Sequence, residues 1–316
     1  MPALAIFALL VTAWTIFGGW YGPGPLRRAA DFTVPSGATL PVVAAQLQKD
    51  GAISSARAFR LRARLFHHAA AIKAGEFQLP PRTSEAEIFA LITGETSLQR
   101  FVTVPEGMPA VMVSDRLAAQ AMLTGPAPVP AEGSVLPQTY DFKRGETRSA
   151  VLGRMQAAMQ ATLAELWPQR ARNLPFKTPR QAVILASIVE KETGKPSERA
   201  MVAGLYENRL RRNMMLQADP TIIYPITKGR PLGRRIRQSE IAAVNDYNTY
   251  AMAGLPKAPI TNPGRSSILA VLHPAATTAL YMVADGTGGH AFAATLQEHN
   301  HNVAHWFAIR HARGEL

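Results

Sequence analysis

The first 21 residues, MPALAIFALLVTAWTIFGGWY, contain no charged side chain. About 20 apolar residues are what a helix needs to cross the hydrocarbon of a bilayer. The sequence therefore predicts a transmembrane anchor over 1–21, with Trp14, Trp20 and Tyr21 at the lipid–water interface. A cleavable leader is the other reading, but neither a basic lead-in nor a small-x-small cleavage site stands out. Arg27 and Arg28 follow the run directly. The positive-inside rule would keep them in the cytoplasm, yet large domains cross membranes largely regardless of charge. Orientation must come from the chemistry of the remaining chain. Gly22 to Pro25 form a Gly/Pro hinge that opens a linker over 22–30.

A chain of 316 residues has room for two domains beyond such an anchor. Its 47% hydrophobic and 18% charged residues exclude global disorder. The formal net charge of +12 attracts polyanions, among them nucleic acid, anionic lipid and anionic wall polymers. Arg209 to Arg212 and Arg230 to Arg237 are the basic patches; we read them as solvated faces or as attraction to wall polymer, with no nucleic-acid partner. Cysteine is absent, which removes disulfides, thiolate metal sites and thiol nucleophiles.

The predicted fold class is α+β: the transmembrane helix, a small module over 31–95 and a larger α+β domain over 96–316. In the module, strand-like Phe32-Thr33-Val34 and Lys73 to Leu79 flank two helices, one with Leu40, Val43, Ala44 and Leu47 at helical spacing and one over 58–65. A third helix runs from Ser84 to Thr93 and stops at Gly94. The string Val34-Pro35-Ser36-Gly37-Ala38-Thr39-Leu40 within this order resembles a LysM domain, a glycan-binding module; a plain α+β spacer has the same pattern. Thr124 to Gly133 is a Pro-rich surface tract, and the spacing from Arg148 to Trp167 is helical.

The chemistry gathers on the next helix. Thr178 is placed as N-cap, Pro179 as first helical residue and Gln181 as the partner in a capping box; Gly194 ends the helix. At 100° per residue, Leu185, Ile188 and Val189 lie within about 60° of Glu192. Glu192 thus continues the apolar stripe, whereas Glu190 points to the opposite side. Burial and the helix C-terminus both disfavour a carboxylate, so Glu192 is predicted to stay protonated near neutral pH, as a general acid must. The alternative is an ion-paired structural glutamate. Downstream, Gln217-Ala218-Asp219-Pro220-Thr221 offers groups that hydrogen-bond sugars or cap an element. Tyr247-Asn248-Thr249-Tyr250 offers two aromatic faces with amide and hydroxyl, or simple core packing. His290, His299, His301 and His305 lack metal-ligand spacing, so neither metal nor cofactor is expected.

The run ILASIVEKETGKPSERAMVAGLYENRLRRNMMLQADPTIIYPI resembles the catalytic core of the YceG-like family of endolytic murein transglycosylases. Val104-Pro105-Glu106-Gly107, Leu136-Pro137-Gln138-Thr139-Tyr140, Val244 to Tyr250, Gly254-Leu255-Pro256, Pro263-Gly264, His273-Pro274, Tyr281 to Gly286, Gly289-His290-Ala291-Phe292 and His299-Asn300 extend it from about Asp31 to Trp306. Gln138 departs from a commonly acidic position. The resemblance implies an inner-membrane anchor, a LysM-like subdomain and a periplasmic catalytic domain. It makes Glu192 the catalytic acid, with Glu190, Gln217, Asp219, Thr221, Tyr247, Asn248, Thr249, Tyr250 and His290 as substrate-binding candidates. The implied reaction cuts the MurNAc–GlcNAc bond of nascent glycan strands, leaves 1,6-anhydroMurNAc ends and terminates elongation. Peptidoglycan strands, peptidoglycan synthases (penicillin-binding proteins) and the membrane are the implied partners. A lysozyme-like hydrolase, needing a second carboxylate such as Asp219, and a non-enzymatic glycan-binding scaffold remain open.

Overall fold

The computed structural model describes residues 2–66, 71–94 and 98–315. The domain boundary expected at 95/96 lies outside the described residues. The chain divides into two compact units, one of residues 1–100 with 141–144, the other of 101–140 with 145–316.

The first unit is built on a two-stranded antiparallel ribbon, β1 (Ala30–Val34) with β2 (Gly75–Leu79), in which Phe32 stands opposite Phe77. Strand alternation sends Phe32, Val34, Phe77 and Leu79 inward. They meet Val43 and Leu47 of α2 (Leu40–Lys49), Phe59 of α3 (Ala56–Phe66), and Ile88, Phe89 and Ile92 of α4 (Glu85–Thr93). Ser84 caps α4: its hydroxyl accepts from Glu87 N–H at 3.2 Å, and the Glu87 carboxylate accepts from Ser84 N–H at 2.8 Å.

The N-terminal run is helical, as α1 (Pro2–Tyr21). However, among the described residues no helix is long and apolar enough to cross a membrane. Several side chains in the first 13 residues lie outside those described, and the span expected there falls partly on them. The last turns of α1 belong to the core of the unit. Trp20, expected at a lipid interface, is fully buried, its ring 5.5 Å from Phe66 and 5.9 Å from both Phe59 and Phe89. Three phenyl rings on α3 and α4 give the indole more apolar surface than a solvated helix end could. Arg62 Nη2 donates to the Thr15 carbonyl at 2.9 Å while Nη1 holds Glu85 at 2.8 Å, which ties α1 to α3 and α4. Trp14 and Tyr21 point outward, at 78% and 62% exposure. The expected hinge is also held: Gly24 N–H donates to Arg82 O, and Arg82 N–H to Leu26 O. A Cβ on Gly24 would lie 2.1 Å from the Thr83 carbonyl, so only glycine fits.

Next in the chain, β3 (Arg100–Thr103) and β4 (Thr139–Phe142) form a short ribbon, with α5 (Ala110–Ala118) between them in sequence. Then come α6 (Arg148–Leu166), α7 (Pro179–Glu192), α8 (Arg199–Arg211), α9 (Asp219–Thr227), α10 (Gln238–Ile241) and α11 (Arg265–Leu272). A last ribbon, β5 (Tyr281–Ala284) with β6 (His290–Ala293), is followed by α12 (Leu296–Ala312), which packs on both strands. The centre is α7, packed against α8 and α11. Its capping box forms as the sequence predicts, with Thr178 Oγ1 accepting from Gln181 N–H. All eight residues from Ala182 to Val189 are buried. A helix apolar on every side is one enclosed on every side, so both faces of α7 are interior. Ser187, the polar member, is satisfied: its hydroxyl donates to Ile184 O and accepts from Ile260 N–H.

Candidate active site

The C-terminal end of α7 opens into a cavity of about 310 Å³ within the second unit. Glu192, the last residue of α7, enters it beside Tyr206 and Arg209 of α8. Gln217 comes from the loop before α9 and Asp219 from the start of that helix, Tyr250 from the loop beyond α10, and His290 and His299 from β6 and α12. Five segments distant in sequence thus meet at one carboxyl.

The Glu192 side chain is partly buried, but its Oε1 is sealed from water and has no hydrogen-bond partner among the described residues. Tyr206 stands beside the carboxyl in the same cavity. Desolvation first, and then the nearby charge of Asp219, push the Glu192 pKa up to about 7, against lowering by Tyr206 and Arg209. The group is therefore protonated over much of the range below neutral pH. A protonated carboxyl in the wall of a polar cavity is what a general acid presents to a substrate oxygen.

The other walls are fixed by direct bonds. Asp219 occupies the first turn of α9, where the helix dipole suits a carboxylate, and accepts from the Tyr250 hydroxyl at 2.6 Å. Arg209 is 7% exposed; it donates to Leu280 O at 2.6 Å, Leu216 O at 2.8 Å and Gln217 Oε1 at 3.3 Å. One guanidinium thereby joins α8 to β5 and to the loop before α9. Gln217 adopts a left-handed backbone (φ 51°) and donates its N–H to Thr249 O. His290 Nδ1 lies 2.8 Å from Glu198 Oε2, and its backbone N–H donates to Glu198 Oε1. The His299 ring stacks on Tyr281 at 5.2 Å, with Nδ1 buried and unpartnered among the described residues. Burial and Arg209 both lower the His299 pKa.

The expected residues separate into two groups. Glu192, Gln217, Asp219, Tyr250 and His290 line the cavity. Glu190, Thr221, Tyr247, Asn248 and Thr249 do not. Glu190 accepts from Gly264 N–H at 2.9 Å and lies 3.6 Å from Arg199. Thr221 and Thr249 are fully buried and bond each other at 2.8 Å. Asn248 is fully buried and donates to the carbonyls of Ile241 and Ala243. Tyr247 packs on Tyr224 with ring centroids 4.9 Å apart. Thr221, Asn248 and Thr249 hold the wall that Gln217, Asp219 and Tyr250 present.

The profile of the YceG-like family matches residues 32–305. The chain belongs to the YceG-like family. It is 26% identical over 306 residues to an endolytic murein transglycosylase of Bacillus subtilis, covering 87% of this chain and 84% of that one. It is 34% identical over 180 residues to an endolytic murein transglycosylase of Streptococcus pneumoniae, covering 55% of this chain and 32% of the relative. The crystal structure of a YceG-like protein from Listeria monocytogenes shares the fold, with a TM-score of 0.55 and 24% identity over 87% of this chain and 98% of that one.

Three cavity residues escape a linear reading of this YceG-like sequence. Arg209 stands in a run of arginines that looks like a solvated patch, yet it is the buried member. Its spacing from Leu205 and Tyr206 on α8 is the available signal, because positions three and four apart share a face. Tyr206 follows from the same spacing. His299 follows a helix start marked by the Thr295–Glu298 capping box, and no local pattern points it at the site. Among the described residues no group of three or more His, Asp or Glu side chains could hold a metal ion.

Proposed function

We propose that this YceG-like protein is an endolytic murein transglycosylase that cuts the glycan strands of peptidoglycan, with Glu192 as its acid. The observation that carries the assignment is the Glu192 carboxyl: buried at Oε1, raised to about 7, and facing a polar cavity beside Asp219. The names of the relatives supply the substrate class. Glu192 protonates the glycosidic oxygen of the MurNAc–GlcNAc bond. The MurNAc C6 hydroxyl then attacks C1 and passes its proton to the Glu192 carboxylate, so that the product ends in 1,6-anhydroMurNAc and the acid is restored. Gln217, Asp219, Tyr250 and His290 offer the groups that bind the sugars. Thr221, Asn248 and Thr249 support those groups from behind.

Mass spectrometry of digested sacculi tests the reading. Anhydro ends from the parent and none from Glu192→Gln are expected. Asp219 in the same cavity favours one second reading, a hydrolase with two carboxylates; reducing MurNAc ends would establish it. Cuts on nascent strands would end elongation, which makes peptidoglycan synthases the proposed partners, to be tested by crosslinking. The module over 31–95 is proposed to bind glycan in the manner of a LysM domain, supported by its strand–helix–helix–strand order. The charge-free sequence of the first 21 residues supports placement at the inner membrane with the catalytic unit outside the cytoplasm; fractionation of the full chain tests it.

A further inference from the structure

A second cavity, about 450 Å³, lies in the same unit as the one at Glu192. The two linings meet at two points along the chain. Glu192 lines the first and Lys191 the second; Asp219 lines the first and Pro220 the second. Neighbouring Cα atoms are about 3.8 Å apart, so the end of α7 and the start of α9 each contribute to both walls.

Their chemistry differs. The cavity at Glu192 carries carboxyls, a guanidinium, an amide, hydroxyls and imidazoles, the groups that match sugar hydroxyls. The second is walled by Met108, Pro109, Met112, Ile223, Leu232 and Ile260. Its one aromatic ring among the described residues is that of Tyr224, and two cations line it: Lys191, which is exposed, and Arg230, which is paired with Asp115. Glu106, the one rim carboxylate, is held by Arg199 at 3.0 Å. Aliphatic walls with few aromatic faces suit methyl side chains better than pyranose rings. An ammonium at the mouth suits a carboxylate.

We propose that this second cavity binds the peptide carried by the lactyl group of MurNAc, an anionic chain rich in alanine methyls, and so selects strands that still bear their peptides. The proposal rests on the transglycosylase reading, because it needs a sugar seated at Glu192. The peptide branches from that sugar, and this cavity, lined by apolar side chains and a cation, takes in the chain neighbours of Glu192 and Asp219.

The test compares two substrates: glycan strands with intact peptides and the same strands stripped by an amidase. Parent, Lys191→Ala and Leu232→Asp are assayed for anhydro ends. Lys191 is exposed and Leu232 lies on a loop, so neither change removes a core side chain. The parent should cut peptide-bearing strands with kcat/KM about tenfold higher, the size of effect that one or two apolar contacts supply. Each variant should lose about fivefold or more on peptide-bearing strands and less than about twofold on stripped strands, which erases the preference. Equal losses on both substrates, unchanged variants, or a parent without preference would overturn the proposal. A parent that cuts neither substrate would instead overturn the transglycosylase reading itself.

Discussion

Replacing Glu192 by glutamine should destroy activity and, above neutral pH, strengthen the fold. The carboxyl has a pKa of about 7 in the native protein against 4.5 for a free glutamate. Between these values the unfolded chain has released its proton and the native chain has not, so native stability falls as pH rises through the window. Above 7 the full cost of holding a buried anion applies. A displacement of this size corresponds to about 3 kcal/mol, and partial exposure of the side chain reduces it to about 1–3 kcal/mol. The amide has no charge to bury. Glu192→Gln should therefore match the parent most closely near pH 4.5 and exceed it near pH 8, raising the melting temperature by about 3–10 °C at the higher pH. Calorimetry of both proteins at the two pH values measures the difference of differences, which cancels any packing effect of the amide. A gap that does not change with pH would mean that Glu192 is ionised throughout, and the general-acid argument would fail with it.

Asp219→Asn removes a like charge and should lower the alkaline limb of the pH–rate profile, by less than about one pH unit because burial is the larger cause; total loss of turnover would instead make Asp219 a participant in the chemistry. Trp20→Ala should destabilise the first unit by about 3–5 kcal/mol in chemical denaturation, as truncation of a fully buried aromatic does, and deletion of residues 1–21 should do at least as much; an unchanged midpoint would return α1 to the status of an appendage. Gly289→Ala puts a Cβ 2.1 Å from Glu198 Oε1, so it should displace Glu198 from His290 and reduce kcat/KM by about 10- to 100-fold without altering the circular dichroism spectrum.

Much of the framework could be read in the chain because its signals are local. The Thr178 cap, the glycine stops and the strand alternation each act within a few residues. Glu192 was reached by a helical-face argument that the structure only half supports. All sides of α7 are buried, so the apolar stripe does not by itself separate Glu192 from Glu190. What separates them is what each carboxylate meets: an N–H and a guanidinium for Glu190, an open cavity for Glu192. Composition pointed to the right loops in Tyr247-Asn248-Thr249-Tyr250 and Gln217 to Thr221, but polar residues in such a loop can bond ligand or backbone equally well. Thr221, Asn248 and Thr249 bond the protein. Trp20 and Arg209 misled for one shared reason: each sits at the end of a run whose average property, apolar or basic, describes its neighbours and not its own long-range contacts.

The placement of Glu192 also bears on how the enzyme fails under heat. The carboxyl is carried by the end of a helix with eight consecutive interior residues, and five separate segments close around it. Sites on loops lose function through local opening well below the global transition. Here the acid cannot leave its position without disturbing the centre of the catalytic unit. Thermal inactivation should therefore coincide with unfolding of that unit, and amides of the 182–189 segment should exchange with solvent among the last.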